Sequence, residues 1–362
     1  MTALLMTGFP GFLGSALLPR ILDRRDGVQA VCVVQPHHLG TAEERLQRIE
    51  AAQPQIAGRT LLVTGDITEP ELGVDPDHAE LLDQVTEVWH LAAVYDLAAP
   101  PELAQRVNVD GTARVLEFCW DRPSFERLQY VSTCYVSGRY RGRFTEDMLD
   151  EGQSFHNHYD STKFAAEKLV REAMEQGLPA TIYRPGIVVG DSRTGETQKY
   201  DGPYYIARFL RRQLLPVAVL PAVNGDHTTG VVPRDFVIEA MDQLSVLETS
   251  VGRTYALTDP EPPTNREVAE LFADRLGKRL AWVPLPLGLT KAALTHVPGL
   301  EWLLGLPAET IDYFEAPTTY ATDHTLADLA GTGVECPPFA SYAGRLLDFM
   351  EDHPEIDASA MV

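Results

Sequence analysis

The chain has 362 residues, four cysteines and a formal net charge of −22, with five lysines against 25 arginines. Such acidity excludes nucleic acid and anionic membrane surfaces as main partners, because like charges repel. The length suits one large α/β domain with an appended lobe, and no apolar run reaches the roughly 18 residues that a membrane span needs.

The start, MTALLMTGFPG, runs straight into a strand and a glycine turn without a basic leader. That predicts a cytoplasmic location with reduced thiols. Cys32, Cys119, Cys134 and Cys336 show no metal-ligand spacing, so no metal site is expected.

Ala3–Met6 reads as a buried strand and Phe12–Leu22 as a helix. Between them lies Thr7-Gly8-Phe9-Pro10-Gly11-Phe12-Leu13-Gly14. Glycines at 8, 11 and 14 permit a tight turn, close backbone approach to a pyrophosphate and close helix–sheet packing. The following helix N-terminus supplies N–H donors and partial positive charge. In its strand–turn–helix context this predicts a dinucleotide site.

A second strand, Ala30–Val34, ends at Gln35, where NAD-selective sites carry an acidic residue. No carboxylate repels a 2′-phosphate here and no arginine grips it. NADP(H) is favoured and NAD(H) stays open, with His37, His38 and Arg45 as candidate contacts. A charged helix (Ala42–Ala52) and a third strand (Thr60–Thr64) follow. Asp66, beside Ile67, is placed either to accept from an adenine amino group or to cap a helix.

The fourth strand, Val85–Leu91, runs into Leu91, Ala92 and Ala93, whose small side chains let a cofactor backbone lie close. Tyr95 follows on the expected substrate side. A long helix occupies Pro101–Cys119, and within it Asn108 reads as a hydrogen-bond bridge toward the site or as helix surface. The fifth strand, Arg127–Ser132, runs out at Thr133, where a parallel sheet binds ligands. Either Ser132 or Thr133 can donate to a substrate carbonyl. Cys134, Tyr135 and His158 are further substrate-side candidates. Arg139, Arg141 and Arg143 could grip phosphates or form a solvated loop.

Tyr159 and Lys163 share one face of a helix over Tyr159–Gln176, one turn apart. A free tyrosine has a pKa of about 10, too high for efficient proton transfer near neutrality. A neighbouring ammonium is expected to lower it. The sixth strand, Ala180–Tyr183, ends at Arg184-Pro185.

Beyond this the pattern loosens. Residues 1–190 read as a dinucleotide-binding domain of Rossmann type: a doubly wound parallel sheet, rejoined by 231–257. Residues 191–230 and 258–362 read as a smaller C-terminal substrate lobe. In it Tyr204 and Tyr205 face the substrate or the core, and Arg208, Arg211 and Arg212 form a basic cluster. Leu280–Leu306 is apolar but broken by Pro284, Pro286 and Pro298, suiting a pocket wall or lid.

TGFPGFLG (7–14), GDIT (65–68), HLAA (90–93), NVDGT (108–112), YVSTCYVSG (130–138), the Tyr159/Lys163 pair and YRPGIVVGD (183–191) together resemble the extended short-chain dehydrogenase/reductase family. VWHLAAVYDL, IYRPGIVVGDSRTGE and VVPRDFV look most like its thioester and fatty acyl-CoA reductase branch. Gln35 departs from that branch, which has an arginine there.

The resemblance implies a catalytic trio of Thr133, Tyr159 and Lys163, with Lys163 also on the nicotinamide ribose. It places Pro185, Gly186, Ile187 and Val188 along the carboxamide. It implies reduction of a long-chain acyl thioester, on coenzyme A or an acyl carrier protein, or of a fatty aldehyde. It also implies a homodimer through the helices over 101–119 and 159–176. A ketone or hydroxysteroid-type dehydrogenase and a sugar-nucleotide epimerase are the family's alternatives, and a cofactor-sensing binding protein is an alternative of another class.

Overall fold

The computed structural model describes residues 2–95, 99–213, 215–221, 227–283, 296 and 318–356. Strands and helices alternate through the first half. β1 (Thr2–Thr7) leads to α1 (Phe12–Arg24), then β2 (Val28–Val34), α2 (Leu39–Ala52) and β3 (Thr60–Thr64). After a short α3 (Ala79–Leu82) the chain crosses back to β4 (Val85–His90). α4 (Pro101–Ala104), a π turn over Gln105–Asp110 and α5 (Gly111–Asp121) precede β5 (Arg127–Val131) and the short β6 (Gly142–Phe144). α6 (His158–Glu175) returns the chain to β7 (Ala180–Pro185) and β8 (Ile187–Val189).

The second half contains α7 (Tyr204–Arg212), β9 (Val217–Pro221), β10 (Val231–Pro233), α8 (Arg234–Ser245), β11 (Thr254–Leu257), α9 (Asn265–Arg275) and β12 (Arg279–Val283). Past residue 317 follow β13 (Thr318–Tyr320), α10 (Asp323–Leu329) and α11 (Ala343–Asp352).

Seven strands form one parallel sheet in the order β11–β7–β5–β4–β1–β2–β3. Strand order reverses between β1 and β4, and ligands bind in the crevice at such a switch point. Alternation along β1 explains the layering. Leu4 and Met6 pack with Leu17, Ile21 and Met241 on one face, and Ala3 and Leu5 with Val115, Phe118 and Val170 on the other. A separate core joins α7, α9 and α11 through Tyr204, Leu210, Phe272, Tyr342 and Leu346.

Two elements differ from the sequence expectation. The helix over 101–119 is interrupted by the π turn, which sits against Ile67: a Cβ on Gly111 would lie 3.0 Å from its Cδ1. Within the returning segment 231–257, Val231–Pro233 is strand but pairs with β8 outside the main sheet, whereas Thr254–Leu257 joins the main sheet. Between the two, α8 covers α1, and β11 forms the sheet edge beside β7. Of the apolar stretch 280–306, residues 280–283 belong to β12, paired with β9. Apart from 296, its remainder, with Pro284, Pro286 and Pro298, lies outside the described residues. No helix among the described residues is long and apolar enough to cross a membrane.

Candidate active site

A cleft of about 820 Å³ opens over the carboxyl ends of β1, β4, β5 and β7. Residues Gly8 to Gly14 form one wall. Gly8 has φ +88°, and a Cβ there would lie 2.8 Å from the backbone nitrogen of Ala92. At Gly11 and Gly14 a Cβ would meet the Gly8 carbonyl oxygen at 2.7 and 2.6 Å. Each glycine is therefore required by contact with main chain. Gly11 starts α1 without a side-chain cap, so the first turn presents bare N–H donors.

At one end of the cleft lie Gln35, His37, His38, Asp66 and Ile67. The Gln35 amide donates to Asp66 Oδ2 at 3.3 Å, while Asp66 Oδ1 accepts from the Thr68 N–H at 2.9 Å and hydroxyl at 2.8 Å. Burial works to raise the Asp66 carboxyl, but these bonds outweigh it and hold it below the usual range. Arg106, which no motif marked, also lines the cleft and faces Asp66 electrostatically. Leu91, Ala92 and Ala93 form the floor, and Pro185, Gly186, Ile187 and Val188 lie toward the other end. A glycine cradle, an uncapped helix start and a continuous cleft fit a dinucleotide.

Thr133, Tyr159 and Lys163 meet in the middle of the cleft. α6 starts at the Asn157 cap, whose side chain accepts from the Asp160 N–H, and this sets the face carrying Tyr159 and Lys163. The Thr133 hydroxyl is hydrogen-bonded to Tyr159 and lies 3.5 Å from the Pro185 carbonyl. Ser132 is committed elsewhere. Its hydroxyl donates to Glu167 Oε2 at 2.6 Å. Glu167 also receives Arg184 Nη2 at 2.6 Å and Arg171 Nε at 3.0 Å. Of the two hydroxyls at this strand end, Thr133 is the one that faces Tyr159.

The expected electrostatics of the pair need correction. Lys163 Nζ donates to Tyr130 OH at 3.2 Å and to the Val131 carbonyl at 2.9 Å, not to Tyr159. Burial raises the Tyr159 phenol above its ordinary value, and the Thr133 bond offsets this only partly. Burial also pulls Lys163 down to about 8, opposed by the Glu167 charge. At Tyr159 desolvation therefore dominates.

Other expected site residues lie just behind the walls. Asn108 is buried beneath the cleft: Oδ1 accepts from the Val94 N–H at 2.8 Å, and Nδ2 donates to the Val94 carbonyl and to Thr162 Oγ1, both at 3.0 Å. It therefore bridges the segment after β4 to α6. The Thr7 side chain turns inward to His90, 2.8 Å from Nδ1. Tyr95 and Tyr135 line the cleft. Cys134, His158 and Tyr204 do not. Cys134 is buried with its thiol 3.0 Å from the Arg184 carbonyl, His158 is exposed at the start of α6, and Tyr204 is buried in the lobe core, accepting from the Gly190 N–H.

Of the arginines after β5, Arg143 pairs with Asp323 at 2.7 Å on the surface, and none of the three lines the cleft. Arg208, Arg211 and Arg212 border a second cavity with Tyr200 and 354–356. Tyr205, named above as facing the substrate or the core, does line the cleft, together with Ile206 of α7, Thr318 and Tyr320 of β13, and Lys199. The Lys199 ammonium sits 2.8 Å from Asp201 and 4.5 Å from the centre of the Tyr95 ring. No local motif announces Thr318 or Tyr320, because β13 reaches the cleft by pairing with β6, far back in the chain.

A glycine cradle beside a Thr–Tyr–Lys group defines an NAD(P)-dependent oxidoreductase of the extended short-chain dehydrogenase/reductase type. Residues 6–241 match the family described as Male sterility protein, and the chain belongs to it. It is 29% identical over 268 residues to a component of the linear gramicidin synthase of Brevibacillus parabrevis, covering 71% of this chain and 5% of that protein. It is 30% identical over 283 residues to glycine betaine reductase ATRR of Emericella nidulans, covering 74% of this chain and 22% of that one. The chain thus spans a small part of the length of both relatives. Among solved structures, the terminal R domain from the myxalamid PKS-NRPS biosynthetic pathway is 29% identical with a TM-score of 0.84. That likeness covers 98% of this chain and 91% of the other.

Proposed function

We propose that this chain reduces an acyl thioester, held on a carrier-protein arm or coenzyme A, to the aldehyde, with reduced nicotinamide as the hydride source. The observation that carries the reading is the Thr133–Tyr159–Lys163 group at the centre of the cleft, together with relatives named as a gramicidin synthase and as a reductase. Bound along the cleft, the nicotinamide supplies a hydride to the carbonyl carbon. Thr133 and Tyr159 hydrogen-bond the carbonyl oxygen as charge develops on it. Tyr159, kept protonated by burial, gives its proton to that oxygen. The resulting hemithioacetal collapses, its C–S bond breaking to release thiol and aldehyde. Lys163 stays charged up to about pH 8 and holds positive charge beside the reacting centre.

NADP(H) is the proposed partner of the Gln35–Asp66 end. Position 35 itself carries an amide in place of a carboxylate, Asp66 beside it is partnered by Gln35, Thr68 and Arg106, and His37 and His38 line the same end. The proposal extends to a substrate lobe formed by 191–230 and 258–362, a cytoplasmic location, and a homodimer through the helices over 101–119 and 159–176, the last tested by sedimentation.

The deciding experiment follows oxidation of NADPH and NADH by the purified protein with an acyl-CoA, an acyl-loaded carrier protein and the matching aldehyde. Thiol release with aldehyde formation supports the proposal. Turnover of the aldehyde alone makes the chain a carbonyl reductase, and no net oxidation with any of the three refutes both.

A further inference from the structure

We infer that Tyr130 is the positioning residue for Lys163, at the head of a row of buried polar groups running from Lys163 to the glycine turn. Neither residue type nor spacing singles Tyr130 out, and it lies behind the residues that line the cleft. Its place in the fold carries the inference.

The donors can be ordered outward from the lysine. Lys163 Nζ donates to Tyr130 OH at 3.2 Å and lies 4.7 Å from the centre of its ring. The Tyr130 hydroxyl faces Thr112 on α5. Thr112 Oγ1 gives its proton to the Asn108 carbonyl at 2.7 Å, so it must accept from His90 Nε2 at 3.1 Å. His90 Nδ1 is then an acceptor and takes the Thr7 hydroxyl proton at 2.8 Å. Thr7 Oγ1 in turn accepts from the Ala92 N–H at 3.2 Å. The scheme needs a neutral imidazole. Burial, helped by the Lys163 charge, pushes His90 down to about 3.

Lys163, Tyr130, Thr112, His90 and Thr7 are each at most 3% exposed, so no water competes for these bonds. The row ties together the strand before the glycine turn, the floor at Ala92 and the lysine of the trio. Three separate walls of the cleft keep one register through it.

The groups facing Lys163 are Glu167 on its own helix, neutral His90 from β4, the Tyr130 hydroxyl from β5 and Tyr159 one turn back. Only Glu167 and the two oxygen acceptors favour its charged form. Tyr130→Phe removes one acceptor while keeping the ring beside the ammonium. The lysine should lose its proton at lower pH.

With five lysines in the chain, protein labelled with ¹³Cε-lysine gives five ε-carbon signals, and Lys163→Met assigns the one sought. In Tyr130→Phe we expect its titration midpoint to fall by about one pH unit, and the nicotinamide dissociation constant to rise several-fold. Thr112→Val should shift the midpoint the same way by less, and Thr112→Ser should restore it. These two keep the test decisive should Tyr130→Phe not fold. An unmoved Lys163 midpoint in the folded variants overturns the inference. Neither readout requires turnover, so failure here is separable from failure of the thioester assignment.

Discussion

Desolvation decides the chemistry of single side chains in this cleft. Tyr159 stays a phenol and Lys163 titrates near 8, because burial penalises charge on both. A reduction that needs Tyr159 protonated and Lys163 charged should run well near neutrality. It should decline as pH rises through about 8, where the lowered lysine loses its proton. The profile of kcat/KM against pH checks this, and a flat profile to pH 10 would contradict it. Tyr159→Phe should lower kcat by about 10²–10⁴-fold, the usual worth of a general acid, with nicotinamide binding retained in a fluorescence titration. Glu167 has a different weight. Both it and Arg184 are buried, so Glu167→Ala strands a guanidinium away from water. A cost of about 3–5 kcal/mol is expected, read as a lower denaturant midpoint with unchanged slope. The Tyr159/Lys163 spacing was legible from the chain. The direction of the tyrosine's shift was not, since it depends on how much protein surrounds the ring.

Helices and turns carry these side chains, and their legibility varied with how local their causes are. The glycine turn was readable because backbone contact at Gly8, Gly11 and Gly14 is demanded by a single strand–turn–helix unit. Gly8→Ala should therefore abolish cofactor binding, since φ +88° and a 2.8 Å contact with main chain both oppose a methyl group. Calorimetry with NADPH would detect retained binding and refute this. The π turn was not readable, because it answers to distant partners: Asn108 reaches Val94 and Thr162, and Gly111 packs on Ile67. Asn108→Ala leaves the buried Val94 amide without its acceptor, at about 1–3 kcal/mol per stranded group. The expected result is lower stability together with reduced kcat, because Thr162 adjoins Lys163.

At the level of the whole molecule, the cleft wall is assembled from segments far apart in the chain. Tyr320 enters through β13, and its hydroxyl lies 3.1 Å from Ser137 Oγ beside the Thr133 loop. Tyr320→Ala should raise KM for the acyl substrate and leave the nicotinamide dissociation constant unchanged. Equal effects on both would show that Tyr320 only supports the fold. The parallel sheet, the dinucleotide turn and the Tyr159/Lys163 pair could be read from sequence alone, because each rests on short-range geometry: period-two strands, a helix turn of 3.6 residues, a glycine at a forced φ. Which hydroxyl faces Tyr159, where the Lys163 ammonium points and which residues face the substrate were decided only by tertiary packing. Burial, competition for protons between Ser132, Glu167 and Tyr130, and the pairing of β6 with a strand beyond residue 317 are properties of neighbours in space, and a linear chain does not encode them locally.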